Sequence, residues 1–152
     1  MTRQPTLPFE PEPAHRCRPV LVTAAQAAIV LKLKPEPLLE MVECGDFIWV
    51  FDLARPGAKR RELRFWVGEL LRRQAGLLPE HRTPVQAVEQ IVGHETVATL
   101  RTGTVAEILW TTRTVVHAWL AAKELDGPDP ASHQQTVWRS SLVHFLLRRR
   151  YL

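Results

Sequence analysis

The chain has little of what marks several common classes of protein. Among its 152 residues there are two cysteines, Cys17 and Cys44, and neither has a CxxC partner, so no disulfide framework or zinc ribbon is expected. The apolar runs are far shorter than the ~20 residues of a membrane-spanning helix. The proline-rich N-terminal part has no apolar signal-peptide core. These absences predict a soluble, cytoplasmic protein without a membrane partner.

Sequence motifs of catalysis are also missing. The chain has no P-loop, no G-x-S-x-G, no HExxH and no paired CxxC. Its six histidines are dispersed along the sequence rather than grouped. We therefore expect no catalytic residue, no metal site and no cofactor.

The residues that are present predict a folded protein. Apolar residues make up 45% of the chain and charged residues 24%, a globular composition. Lys and Arg number 20 against 16 Asp and Glu, which gives a net charge of +4. That charge is compatible with a polyanionic partner but does not by itself identify one.

Residues 1–19 form a proline-rich segment with five prolines. Because each proline removes a backbone donor and favours an extended predecessor, we expect an arm without regular structure. Within it, Gln4, Leu7 and Phe9 form Q-x-x-L-x-F, which resembles the short peptide that docks many bacterial proteins on the replication sliding clamp. The other interpretation is that Leu7 and Phe9 pack the arm onto the folded body.

Residues 20–78 contain the signals of two short helices, a hairpin and a third helix. Thr23 can cap the first helix, Pro35 fits the first turn of the second, and Gly45 ends it. The second helix is predicted to turn four residues inward: Leu38, Leu39, Met41 and Val42. Two strands follow, at 47–51 and 62–66, joined by a Pro-Gly turn with a basic end. A helix over 67–78 follows, with Leu70, Leu71 and Leu77 on its apolar side and Arg72 and Arg73 outward.

This pattern resembles the MerR/excisionase type of winged helix-turn-helix protein. The residues that carry the resemblance are Thr23, Ala27, Ala28, Pro35, Glu36 and Gly45. The resemblance implies that residues 20–78 are one such DNA-binding module and that the hairpin is its wing.

Residues 79–102 are predicted to be a helical linker. Thr83 can cap a helix whose apolar residues recur at helical spacing from Val85 to Val92, and Gly93 should end it. A linker with an amphipathic helix must bury it, so we expect it to pack between the halves or against another chain.

A second helix-turn-helix pattern follows in residues 103–152. Apolar stripes at 105–110 and 114–122 flank a polar turn at 111–113. The residues that resemble the same family are Thr112, Arg113, Thr114, Val116, His117 and Leu120. A strand is predicted to start at Leu125 and another to run over 136–138, before a final helix capped by Ser140 or Ser141.

The predicted helices and strands therefore follow the same order in the two halves of the chain. Aligning Gln26 with Val105 and Gly68 with Ser140 matches their patterns, although few residues are identical. The predicted fold is mainly α with small β-hairpin wings, as tandem winged helix-turn-helix modules.

The resemblance implies sequence-specific binding of double-stranded DNA, in a transcriptional regulator or an excisionase-like architectural factor of a phage or mobile element. The second module is expected to read bases, and basic residues elsewhere to contact phosphates. The predicted DNA-binding residues are Lys32, Lys34, Lys59, Arg60, Arg61, Arg64, Thr112, Arg113, Thr114, His117, Arg139, Arg148 and Arg149.

The alternative is a protein-interaction adaptor built on degenerate modules. Its partner would bind the acidic helix from Glu36 to Glu43 or the arm from Gln4 to Phe9. Three carboxylates on that helix would be repelled by phosphates, which favours a protein partner there. A homodimer is compatible with either interpretation.

Overall fold

A computed structural model describes residues 19–55, 58–77, 82–128 and 135–151. The predictions for the arm, including the Gln4 to Phe9 peptide, lie outside these ranges. Within them the fold is mixed α/β, with seven helices and two small antiparallel sheets. The chain divides into two compact units after Pro79. None of the helices so described has the length and apolar character to span a membrane.

The N-terminal unit contains three helices and a three-stranded sheet. Its elements are β1 (Leu21–Thr23), α1 (Ala24–Leu31), α2 (Pro35–Glu43), β2 (Val50–Asp52), β3 (Leu63–Trp66) and α3 (Val67–Gln74). The central strand β3 pairs antiparallel with both β1 and β2. The predicted hairpin is therefore present, although its first strand begins at Val50 rather than at residue 47, and β1 adds a strand that was not predicted.

Local signals set the bounds of the first two helices. The Thr23 hydroxyl accepts from the Gln26 N–H and the Gln26 side chain accepts from the Thr23 N–H, a capping box that satisfies two backbone donors. Pro35 starts α2, as predicted. Leu38 is buried, as is Val42, but Leu39 is 44% exposed, so the prediction that Leu39 turns inward is wrong.

Helix α3 differs from its prediction at its C-terminal end. It ends at Gln74 rather than at residue 78, and Leu71 and Leu77 are exposed. The Arg73 side chain does not point outward, since its guanidinium lies 4.3 Å from the Phe47 ring centroid and donates to the Asp46 carbonyl. A cation over an aromatic face is a favourable contact. Arg73 therefore has a packing role in this unit.

The C-terminal unit contains four helices and a two-stranded sheet in the part of the chain that is described. Its elements are α4 (Pro84–Val92), β4 (Thr99–Arg101), α5 (Thr102–Leu109), α6 (Arg113–Ala121), β5 (Thr136–Trp138) and α7 (Arg139–Arg148). Helix α4 packs on α7, and β4 pairs with β5. The described residues of the predicted linker are thus part of this unit, because α4 buries its apolar side against α7.

Two further predictions in this unit need correction. Leu125 is buried but does not start a strand, and β5 pairs instead with β4. Neither serine caps α7, which follows Trp138 without a side-chain cap. The Ser141 hydroxyl accepts from the Asp126 N–H at 2.8 Å. That bond ties the start of the loop after Leu125 to α7.

The two units repeat the same backbone hydrogen bonds. The Leu33 N–H donates to the Ala28 carbonyl at 2.9 Å, and 78 residues later the Thr111 N–H donates to the Ala106 carbonyl at 2.9 Å. This residue shift also relates α1 to α5 and α2 to α6, which have equal lengths. The sequence alignment that paired Gln26 with Val105 was therefore wrong by one position.

Beyond the second helix of each unit the shift becomes 72 residues. The Val67 N–H donates to the Val20 carbonyl, and the Arg139 N–H donates to the Ala98 carbonyl, both at 2.9 Å. The segment between the helix pair and the return strand is thus six residues shorter in the C-terminal unit. The alignment of Gly68 with Ser140 has this shift.

Candidate nucleic-acid interface

Helix α6 has one buried face and one polar, exposed face. Val116 and Trp119 are buried, and α6 packs on α5. The Thr112 hydroxyl accepts from the Val115 N–H at 3.4 Å and caps the helix. With the helix held in this way, Arg113, Thr114 and His117 are exposed on its N-terminal half. The structure therefore brings these four predicted site residues together.

The Arg113 guanidinium lies against the first turn of α5. A Cβ atom added to Gly103 would be 2.9 Å from Nη2 and 3.0 Å from Nε of Arg113, so glycine leaves the space that this guanidinium occupies. Exposed Arg101 directly precedes α5 and brings a second cation to the same turn. Arg101 was not among the predicted site residues because it lies outside the helix-turn-helix pattern.

His117 is held by a contact outside α6. Its Nδ1 atom shares a hydrogen bond with the side-chain oxygen of Gln135, which precedes β5. The contact joins the polar face of α6 to the chain that returns to the sheet. The imidazole position is therefore set by two elements of the fold.

The same face in the N-terminal unit has the opposite charge. By the 78-residue shift, Pro35, Glu36 and Leu39 stand where α6 has Arg113, Thr114 and His117. Helix α2 carries three glutamates and no basic residue, whereas α6 carries an arginine and no acidic residue. Phosphates would be repelled by α2 and attracted by α6.

Lys32 and Lys34 lie in the turn between α1 and α2. Lys32 ends α1 in the left-handed backbone region, with φ at 55°, and Lys34 is the N-cap of α2. Both are exposed. They are accessible to a phosphate but stand beside the acidic face of α2.

The basic residues of the first hairpin have different environments. Lys59 and Arg60 are exposed, while Arg61 forms an exposed ion pair with Glu43 at the end of α2. Arg64 is only 9% exposed, and its Nη1 donates to the Leu63 carbonyl. Burial lowers the pKa of the Arg64 guanidinium, and the charge of Glu62 opposes that effect.

Arg64 was predicted to contact DNA, but its burial in β3 leaves little of its side chain accessible to a phosphate. Arg139 also has an internal role. It pairs with Glu89 at 2.5 Å and donates from Nε to the Gly93 carbonyl at 2.7 Å. These contacts fasten the start of α7 to α4 and leave the Arg139 side chain 12% exposed. Arg139 was also predicted to contact DNA, but these contacts leave little of its side chain accessible to a phosphate.

The last two predicted residues lie at the end of α7. Arg149 pairs with Glu124 at 3.4 Å, its guanidinium is 4.6 Å from the Phe145 ring centroid, and its side chain is 11% exposed. The structure therefore does not support Arg149 as a DNA contact. Arg148 is exposed and donates from Nη2 to the Glu124 carbonyl at 3.0 Å. Of the two, only Arg148 is accessible.

No family model, curated protein or solved structure matches the chain. In the described ranges, no three His, Cys, Asp or Glu side chains group as ligands for a metal ion. Function must therefore be inferred from the side chains and charges of the two units.

Proposed function

We propose that the protein binds double-stranded DNA and that α6 enters the major groove. The observation that carries this proposal is the exposed N-terminal half of α6, with Arg113, Thr114 and His117 on a helix packed against α5. In helix-turn-helix proteins the second helix of the pair presents its N-terminal residues to base edges. The absence of acidic residues from α6 favours approach to phosphates.

The dimensions of α6 agree with this role. An α-helix with its side chains is about 10–12 Å in diameter, and the major groove, about 12 Å wide, admits a helix of that diameter. A guanidinium can bond the O6 and N7 atoms of guanine together, which makes Arg113 the proposed reader. Thr114 and His117 offer hydrogen bonds to a neighbouring base or phosphate.

We further propose that each unit is a winged helix-turn-helix module. The repeated hydrogen bonds, the equal helix lengths and the hairpin of the N-terminal unit support this proposal. In that unit the acidic α2 is not a reader, and the exposed hairpin residues Lys59 and Arg60 would contact phosphates. Such contacts raise the affinity for every duplex without adding sequence preference.

Two biological roles are compatible with a protein that binds duplex DNA without catalysing a reaction. A transcriptional regulator and an excisionase-like architectural factor both recognise a duplex site, and both can bend it. The same interface would serve either role.

An adaptor role is the second candidate, and the surface of α2 favours it. Glu36, Leu39, Glu40 and Glu43 are exposed on one short helix. An apolar side chain among carboxylates fits a protein partner with a basic, partly apolar surface.

Selection of duplexes from a random pool at about 0.15 M salt tests the proposal, followed by a salt titration on the enriched duplex. A binding motif and a steep fall of affinity with salt are expected. No enrichment together with no salt-dependent binding would refute the DNA proposal and leave the adaptor.

Variants of Arg113 then test the reader. Arg113→Ala should reduce discrimination against random duplex by about fivefold to 150-fold, because a bidentate base contact is worth about 1–3 kcal/mol. Arg113→Lys keeps the charge without the planar fork, so it should keep more affinity for all duplexes and still lose discrimination. Arg82→Ala removes an exposed arginine before α4 and serves as the control.

A further inference from the structure

A second polar surface of the C-terminal unit lies between the end of α6 and α7. It is an open groove of about 500 Å³, and its lining includes Lys123, Asp126, Trp138, Ser140, His144 and Arg148. None of these residues lies on the N-terminal half of α6. The groove is therefore separate from the residues proposed to read duplex DNA.

The groove has an exposed indole. Trp138 is 39% exposed. The corresponding residue of the N-terminal unit, Trp66, lies over Gly68, where an added Cβ would be 2.8 Å from the indole Cε2 atom. The residue at the Gly68 position is Ser140 in the C-terminal unit, so the indole cannot take the Trp66 placement beside it. The serine side chain thus leaves the Trp138 indole available at the groove.

Charged side chains of both signs surround the Trp138 indole. Lys123 and Arg148 supply two cations. Glu124 also lines the groove, and its carboxylate is paired with Arg149 at 3.4 Å, which offsets its charge. Asp126 adds an exposed carboxylate that can accept a hydrogen bond. The groove therefore combines an aromatic face, two cations, the Glu124 carboxylate that is paired with Arg149, and the exposed Asp126 carboxylate as an acceptor.

We propose that this groove binds a nucleotide of an unpaired DNA strand, which rests on the proposed DNA-binding function. The base stacks on Trp138 and the phosphate contacts Lys123 and Arg148. Asp126 accepts from the exocyclic amine of cytosine, a pairing that carboxylates make with that base. An acidic peptide would instead bring its carboxylates against Asp126. The chain would thus hold a duplex at α6 and a locally opened strand at this groove.

The test measures anisotropy of labelled (dC)6 and (dT)6 oligonucleotides with the full chain. Trp138→Ala should weaken (dC)6 binding about fivefold to a hundredfold, and Trp138→Phe should retain most of it because a phenyl ring still stacks. Preference for (dC)6 over (dT)6 should fall in Asp126→Ala. Far-UV circular dichroism checks that each variant is folded.

Duplex binding separates this inference from the function on which it rests. Trp138→Ala should leave the affinity for the selected duplex unchanged, whereas Arg113→Ala should lower duplex discrimination and leave (dC)6 affinity unchanged. The strand proposal is overturned by no (dC)6 binding or by equal affinity in Trp138→Ala. It is also overturned if dCMP binds as tightly as (dC)6, or if a poly-glutamate peptide competes equally well. None of these results would contradict duplex recognition by α6.

Discussion

Glu69 is the clearest place to test how the N-terminal unit is held together. Its side chain is buried, with the residue 6% exposed, and it accepts from the Ile48 N–H at 3.0 Å and from the Trp49 N–H at 3.2 Å. It thereby joins α3 to the chain that enters β2. In Glu69→Ala both backbone donors lose this acceptor, and the Trp49 N–H lies in a buried setting.

The expected loss can be estimated from those two bonds. A hydrogen bond to a charged group contributes about 1.5–3 kcal/mol, and a buried donor left without a partner costs about 1–3 kcal/mol. The Ile48 bond is only part-buried and contributes less. We therefore expect the free energy of unfolding to fall by about 2–4 kcal/mol. For a unit of this size that corresponds to a fall in melting temperature of about 10 °C or more.

Thermal and urea unfolding, followed by circular dichroism, would measure this loss. Glu69→Gln keeps one acceptor oxygen and should lose about half as much. Glu36→Ala removes an exposed carboxylate and should change stability by less than about 0.5 kcal/mol. If Glu69→Ala were as stable as Glu36→Ala, the two N–H contacts would not be holding α3 to β2.

Three other changes have definite expected outcomes. Gly103→Ala should displace the Arg113 guanidinium, so competition assays should show weaker discrimination between the selected duplex and random duplex. Alanine in the helix should at the same time add up to about 1 kcal/mol of stability. Unchanged discrimination would argue against Arg113 as the base-reading residue. Arg139→Ala should lower the free energy of unfolding by about 1–3 kcal/mol in urea titration, because the Gly93 and Glu89 carbonyls lose the donors of its guanidinium. An unchanged free energy of unfolding would show that Arg139 does not hold α7 to α4. Lys59→Gln combined with Arg60→Gln should weaken binding to all duplexes and reduce the salt slope by up to about 1.8; a loss confined to the selected duplex would contradict phosphate contact.

Local chemistry made several helix bounds predictable from the sequence. Thr23 and Thr83 both form the caps expected of them, each within a box closed by a glutamine three residues later. Gly45 has a φ of 77° and follows α2, where a left-handed residue is favoured. These signals need only neighbouring residues, which is why one sequence suffices for them.

The short strands depend on distant partners and were harder to predict. β1 and β4 have three residues each, too few for an alternating pattern to identify them. Each is defined by pairing with a strand more than 30 residues later in the chain. Leu125 shows the opposite error, because burial in the core gave it the apolar character of a strand residue.

The candidate interface was predictable where helix geometry decides exposure. The spacing of Val116 and Trp119 buries one face of α6 and leaves Arg113 on the other. The roles of Arg64 and Arg139 could not be read in this way. An arginine directed to solvent and one that bonds internal carbonyls have the same sequence character, so only the fold distinguishes them.

Because the residue shift between the two helix pairs is constant, each position of α2 has an equivalent position in α6. Substituting Pro35, Glu36, Leu39 and Glu43 by the Arg, Thr, His and Ala of α6 would transplant one helix surface onto a backbone with the same turns. If the graft created a second reader, the chain would select duplexes with two copies of one sequence. The number of base pairs between the copies would then measure, in solution, the distance between the two units on DNA.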